Sequence, residues 1–236
     1  MGKMRKLSKN QIDISIIIPC LNEEKHIKNT LTKLVKSFSG NKNTFELLVI
    51  NDGSKDSTLD KIKDFQLKYP KINLKIFSHK KSTGIGFIFY KYSKKVKGDY
   101  CRMVMGDDVD YLKTHKRILK FIHKYDIIIP IYKNVVNKSK MRMLISKIFT
   151  LIVNIISFSK ISYYNGSVAF KTNHLKKIQF IDDGFGFQAE IITKLIKLDS
   201  NYIEFNTTAL HRDHSNSITI KNIIKVIHII IRIIKC

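Results

Sequence analysis

Residues 45–58 read FELLVINDGSKDST, and this stretch decides the fold. Apart from Glu46, its first six residues are apolar on both alternating sides, which suits a strand buried on both faces. Asn51, Asp52, Gly53 and Ser54 follow at once, a cluster that turns a chain. Asp56, Ser57 and Thr58 then supply helix-capping chemistry, so a helix is expected from there to about Tyr69. Strand, polar turn and capped helix form the repeating unit of a parallel α/β sheet.

The same order recurs on both sides of this stretch. Residues 13–18 (DISIII) run into Pro19 and the polar pair Asn22 and Glu23. A helix over 23–38 follows, with Ile27, Leu31, Leu34, Val35 and Phe38 at helical spacing. Residues 73–77 read as a third strand, and STGIG (82–86) opens another helix. Residues 100–105 read as a fourth strand that ends in GDDVD (106–110), followed by a helix to His123 and a strand over 126–131. This alternation predicts a mostly parallel sheet with helices on both faces. Ligands of such sheets bind beyond the carboxyl ends of the strands. Three polar clusters fall at those ends: 19–23, 51–54 and 106–110.

The second half is less regular. Residues 138–158 read as one or two basic helices with an apolar face, which suit attachment to anionic lipid or packing on the sheet with the lysines outside, and YYNG (163–166) leads into a strand over 167–171. GFGF (184–187) precedes a helix over 188–198, a late strand covers 202–207, and an amphipathic helix begins at Ser217. There is no internal repeat and no linker rich in Pro, Gly or Ser. The 236 residues are therefore expected to form one domain over 12–216, between a basic segment (1–11) and an amphipathic helix (217–236).

The composition is 44% hydrophobic, enough for a real core, with 43 Lys+Arg against 19 Asp+Glu and a net charge of +24. Such an excess attracts nucleic acid, anionic lipid or phosphate-bearing substrates. A chain rich in Lys, Ile and Asn from an A/T-biased genome would also carry it. Cys20, Cys101 and Cys236 make no CxxC pair and no disulfide framework, so buried thiols in a reducing, cytoplasmic setting are expected. The first ten residues lack the apolar run of a signal peptide. The apolar runs at 148–158 and 223–234 fall short of the ~20 residues that span a bilayer, so no transmembrane helix is expected.

Asp107, Asp108 and Asp110 are the densest acidic cluster in a carboxylate-poor chain. Mutual repulsion makes such a cluster costly, and a hard divalent cation would relieve it through oxygen ligands. A solvated turn that caps the next helix is the plainer alternative. Gly53 permits a tight turn, which leaves Asp52 to accept hydrogen bonds from a base or ribose. Gly84-Ile85-Gly86 lacks both the dinucleotide and the P-loop patterns. His211 and His214 form HxxH without a third ligand nearby, which favours a structural or phosphate-contact role.

In this order, these motifs resemble the family 2 glycosyltransferases with the GT-A fold, over about residues 13–217. The carriers are Pro19, Asn22 and Glu23, then VINDGSKDST (49–58), then MGDDVD (105–110). YYNG, GFGFQAEI (184–191) and residues 212–217 resemble the branch that acts on polyprenyl (dolichyl) phosphates. The resemblance implies an inverting, metal-dependent transfer from a UDP- or GDP-sugar to a lipid phosphate or glycan at a membrane surface, without nucleic acid. It implies that Pro19, Leu21, Asn22, Glu23, Asp52, Gly53, Ser54, Gly84 and Asp107 hold the nucleotide. It assigns Mg2+ or Mn2+ to Asp108 and Asp110, with Asp108 also counted as catalytic, and the general base to Glu190. Arg142, Asn165, Gly166, Gln188, Arg212 and Ser217 fall on the acceptor or phosphate side. Gly106 stands where the branch has the first Asp of its metal motif, Asp107 is a candidate substitute, and Ser215 replaces a usual Gly.

Three other readings compete. A nucleic-acid-binding protein would account for the charge, but the chain has no RRM-type aromatic signature, zinc finger or distinct basic tail. A sugar-nucleotide-binding pseudoenzyme would account for Gly106. A nucleotidyltransferase would need a Gly-rich N-terminal phosphate loop that the chain lacks.

Overall fold

The β-branched runs pair side by side as their spacing predicts, and the helices between them close over both faces. A computed structural model describes residues 11–136, 140–179 and 186–210. The order is β1 (Ile14–Cys20), α1 (Ile27–Phe38), β2 (Phe45–Asp52), α2 (Thr58–Lys68), β3 (Leu74–His79), α3 (Ile85–Ser93) and β4 (Tyr100–Met103). Then come α4 (Leu112–Leu119), β5 (Ile127–Val136), α5 (Lys140–Ser157), β6 (Ala169–Lys171), α6 (Thr172–Leu175), α7 (Phe187–Lys197) and β7 (Tyr202–Leu210). Residues 1–10 of the expected basic segment (1–11) and all of the expected helix 217–236 lie outside the described residues.

The seven strands make one sheet in the order β3-β2-β1-β4-β6-β5-β7. β1, β2, β3 and β4 run parallel, as expected. β6 runs antiparallel between β4 and β5, and β5 and β7 are parallel. The reversal of β6 departs from the all-parallel pattern of the first half. It follows from α5, which returns the chain to the sheet from the far end of β5.

Strand alternation divides the core. Ile16, Ile18, Leu47 and Val49 pack under α1, α2 and α4, while Ile17, Leu48 and Ile50 pack under α3 and α7. The expected helix at 23–38 begins only at Ile27, because residues 22–24 bond to the loop after β2 instead.

The parallel register sets Cys20 beside Asn51 and Asp52 beside His79. The loops after β1, β2, β3 and β4 therefore meet at one edge.

Candidate active site

At that edge the loops are laced by side-chain caps. Asn22 sits in the left-handed region (φ 56), its N–H donates to Ser54 Oγ (3.0 Å), and its Oδ1 accepts from Lys55 N (2.9 Å). Glu23 N donates to Thr58 Oγ1 (2.7 Å), and Glu24 N donates to Asp56 Oδ2 (3.2 Å). Gly53 (φ 80) lies against the loop after β3, where a Cβ would come within 2.9 Å of the Lys81 and Ser82 backbone. Leu21 and Asn22 face solvent, and Pro19 is buried in β1.

Asp52 is buried at the end of β2, and its own chain surrounds it. It accepts from Ser82 Oγ (2.8 Å), Thr83 Oγ1 (2.8 Å), Thr83 N (2.9 Å) and Gly84 N (3.2 Å), and pairs with His79 Nδ1 (2.8 Å). Burial opposes its charge, but the bonds from His79, Thr83 and Ser82 outweigh burial and lower its pKa. Asp52 thus organises the loop that carries Gly84.

The loop after β4 carries the acidic cluster, and its three carboxylates have different surroundings. Gly106 is buried on β1: its N–H donates to Pro19 O (3.0 Å), and a Cβ would stand 2.7 Å from Cys20 Sγ. That contact is a physical reason for the missing first Asp of the motif. Asp107 is half-buried. Burial first, then the negative charges of Glu23 and Asp107, push the Cys20 thiol well up, so it is a neutral packing group.

Asp108 is buried in the left-handed region (φ 61) and faces α1. Its Oδ2 accepts from Asn29 Nδ2 (2.6 Å), and its Oδ1 pairs with Lys33 Nζ (2.8 Å). Asn29 and Lys33 stand one turn apart, so one face of α1 addresses this carboxylate.

Asp110 is itself buried and enters a different network. It accepts from Arg102 Nη2 (3.1 Å), Ser167 Oγ (2.7 Å) and the Tyr132 hydroxyl. Arg102 also donates to Ser167 O (2.9 Å) and to His115 Nδ1 (2.9 Å). Burial alone would raise the Asp110 pKa, but the Arg102 guanidinium, His115 and the bonds from Tyr132 and Ser167 together outweigh burial and hold the carboxyl below its usual range. Burial, reinforced by Arg102, drops His115 to about 3. Asp110 was expected beside Asp108 as a metal ligand, but its oxygens are committed to Arg102, Tyr132 and Ser167, so it acts as an anchor for the loop.

Two carboxylates, Asp107 and Asp108, remain on this loop outside that network. Oxygen donors beside a strand end suit Mg2+ or Mn2+, and at Asp108 such an ion would take the place now held by the Lys33 ammonium.

Of the acceptor-side candidates, Asn165 is exposed and Gly166 is buried, with room for no Cβ because Pro130 O would lie 2.6 Å away. Neighbouring Tyr163 packs on Tyr132, and burial with the Asp110 charge pushes it up to about 12. YYNG therefore borders the Asp110 network. Gln188 and Glu190 are buried in the first turn of α7, and Glu190 Oε1 pairs with Lys194 (2.7 Å). The Arg142 side chain and all of His211, Arg212, His214 and Ser217 lie outside the described residues.

The sequence reading missed Asn29, Lys33, His79, Thr83, Arg102, Tyr132 and Ser167. Only Arg102 left a clear signal, a cation inside an apolar strand that must find a buried partner.

A second cluster lies at the other sheet edge, roughly 20 Å away at ~3.3 Å per strand residue. There Asp13, Asp99 and His123 bring one ligand atom each within 4.8 Å of one another. They precede β1 and β4 and follow α4, far from Asp108. His123 Nε2 bonds Asp13 Oδ1 (2.8 Å), and Thr44 N donates to Asp13 Oδ2 (2.7 Å), which accounts for them as ties between loops.

The family model for glycosyl transferase family 2 matches residues 15–185. The dolichyl-phosphate beta-glucosyltransferase of Dictyostelium discoideum is 29% identical over 127 residues, 50% of this chain and 39% of that protein. A Methanococcus voltae dolichyl N-acetyl-alpha-D-glucosaminyl phosphate 3-beta-D-2,3-diacetamido-2,3-dideoxy-beta-D-glucuronosyltransferase is 35% identical over 118 residues, 45% of this chain and 35% of that protein. The chain thus spans well under half the length of these two relatives. The crystal structure of glucosyl-3-phosphoglycerate synthase from Mycobacterium tuberculosis with Mn2+, UDP and phosphoglyceric acid superposes with a TM-score of 0.72 at 14% identity, over 93% of this chain and 78% of that one. That likeness shows the fold, GT-A.

Proposed function

The chain belongs to glycosyl transferase family 2, and from that premise we propose that it moves a sugar, with inversion, from a UDP- or GDP-sugar to a polyprenyl phosphate or glycan at the cytoplasmic face of a membrane. The observation that carries this reading is the meeting of the Asn22–Glu23, Asp52–Ser54 and Asp107–Asp108 loops at one sheet edge, with Lys33 on Asp108. The first two loops form the donor's base and ribose side. Asp108, with Asp107, would hold Mg2+ or Mn2+, which supplies charge neutralisation for a departing diphosphate.

The acceptor oxygen bonds to the anomeric carbon on the face opposite the diphosphate. The carbon–oxygen bond to the diphosphate breaks, and its electron pair leaves with that group. Lys33 adds positive charge where the leaving group gathers negative charge. An alcohol acceptor would need Glu190, buried and paired with Lys194, to come into reach as its base, whereas a lipid phosphate is already ionised and needs none. The polyprenyl-phosphate acceptor is favoured by the resemblance to dolichyl-phosphate enzymes.

The test is release of nucleoside diphosphate from a panel of UDP- and GDP-sugars with Mn2+, with and without a short-chain polyprenyl phosphate. Acceptor-dependent release from one donor is expected. Donor turnover that ignores every lipid phosphate but responds to a glycan would replace the acceptor, and no release from any donor would contradict the transferase reading.

A further inference from the structure

The helix α5 is apolar on two sides, and among the described residues only one packs into the fold. Phe149, Val153 and Ile156 pack into the core. On the other side Leu144, Ile148, Leu151 and Ile155 follow one another at steps of four, three and four, so they form a single stripe, and exposed Phe158 comes just past the helix end. All five are between 48% and 95% exposed. The stripe is not a loose end. Asn154 ties the C-terminal turn down, donating to Ile161 O (2.8 Å) and accepting from Ile161 N (3.1 Å) and the Tyr164 hydroxyl (2.8 Å). An ordered apolar stripe of this length on a water-exposed helix marks an interaction surface.

The charge around it narrows the partner. Residues 127–181 contain nine Lys and Arg and no Asp or Glu. Exposed Lys147 stands next to Ile148 in the chain, and exposed Lys160 two residues after Phe158. A second copy would set two cationic surfaces against each other in a chain of net charge +24. Nucleic acid would satisfy the lysines but leave the apolar side chains against a polar backbone. An anionic bilayer satisfies both, with acyl chains for the stripe and phosphate head groups for the cations.

We propose that the Leu144–Ile155 stripe, with Phe158 just past its end, is a docking surface for an anionic lipid bilayer. It deepens the membrane part of the reading above and rests on it, but its test does not pass through sugar transfer. The other side of α5 is held in the core, so the stripe docks on the bilayer and does not cross it. Among the described residues no helix is long and apolar enough to cross a membrane.

The experiment is co-sedimentation of the full chain with phosphatidylcholine vesicles, with and without phosphatidylglycerol. The comparison is with a Leu151→Glu/Ile155→Glu variant and a Leu151→Phe/Ile155→Phe variant. Wild type should pellet with the anionic vesicles and release them as salt rises. The Glu variant should bind roughly tenfold or more weakly and the Phe variant like wild type, because the stripe works by apolarity. Both sites are exposed, so all three proteins should melt together. Equal binding by wild type and the Glu variant would overturn the proposal. So would a wild-type dimer that the Glu variant splits without any vesicle binding, or a stripe-dependent complex with a single-stranded RNA probe in its place. If the Glu variant keeps nucleotide-induced stabilisation, loss of docking stands apart from any failure of the donor reading.

Discussion

Asp108 and Asp110 are the same residue two positions apart, and their surroundings set them to different tasks. Asp108 meets Lys33 and Asn29 beside the strand-end loops, whereas Asp110 lies under the loop against Arg102, Tyr132 and Ser167. The spacing of the two carboxylates was legible in the sequence. Their division of roles was not, because it depends on partners 8, 22 and 57 residues away. The Arg102 network also makes a pH prediction. His115 has a folded pKa of about 3, well below its ordinary value of about 6.5. Between those values the unfolded chain binds the extra proton, so stability falls as pH drops through about 6.5 and goes on falling towards 3. Each pH unit in that window costs about 1.4 kcal/mol from this group. His115→Asn keeps an acceptor for Arg102 and removes the titration. Urea unfolding from pH 7 to 4 should therefore show a shallower loss of stability in the variant than in wild type. Parallel slopes would mean that His115 is not buried neutral.

At the level of elements, the strand-turn-helix grammar of the first half was readable to within a few residues, because buried parallel strands are continuous apolar runs. The direction of β6 was not, since a three-residue strand gives no directional signal. Nor was the packing of the loop after β4 onto β1. Gly106 is there because β1 and that loop approach too closely for a side chain. Gly106→Ala should destabilise by roughly 1–3 kcal/mol through overpacking. Adding Cys20→Ala, which removes the clashing Sγ, should restore part of that loss. A double-mutant cycle by urea denaturation reads the coupling, and strictly additive effects would refute the contact.

For the whole molecule, one sheet carries its interlocked loops at the carboxyl edge and a structural tie of Asp13, Asp99 and His123 at the other. The placement of the polar motifs at strand ends made the first edge legible from sequence order, and the basic, apolar-faced stretch at 138–158 pointed to anionic lipid where the charge of +24 alone names no partner. The outward stripe of α5 emerged only once its other side was seen to be buried in the core. The central claim is that this edge holds a nucleotide-sugar through a cation on Asp108. The direct measurement is thermal unfolding with UDP, GDP, CDP and dTDP, each with and without Mn2+, on wild type, Asp108→Asn and Asp110→Asn. At about 100 times its dissociation constant a ligand adds roughly 2.7 kcal/mol. Asp110→Asn starts lower, because losing one partner of a buried ion pair costs about 3–5 kcal/mol. The account predicts a Mn2+-dependent rise with one nucleotide that Asp108→Asn abolishes and Asp110→Asn retains. No rise with any nucleotide, or a rise that Asp108→Asn leaves intact, would contradict it.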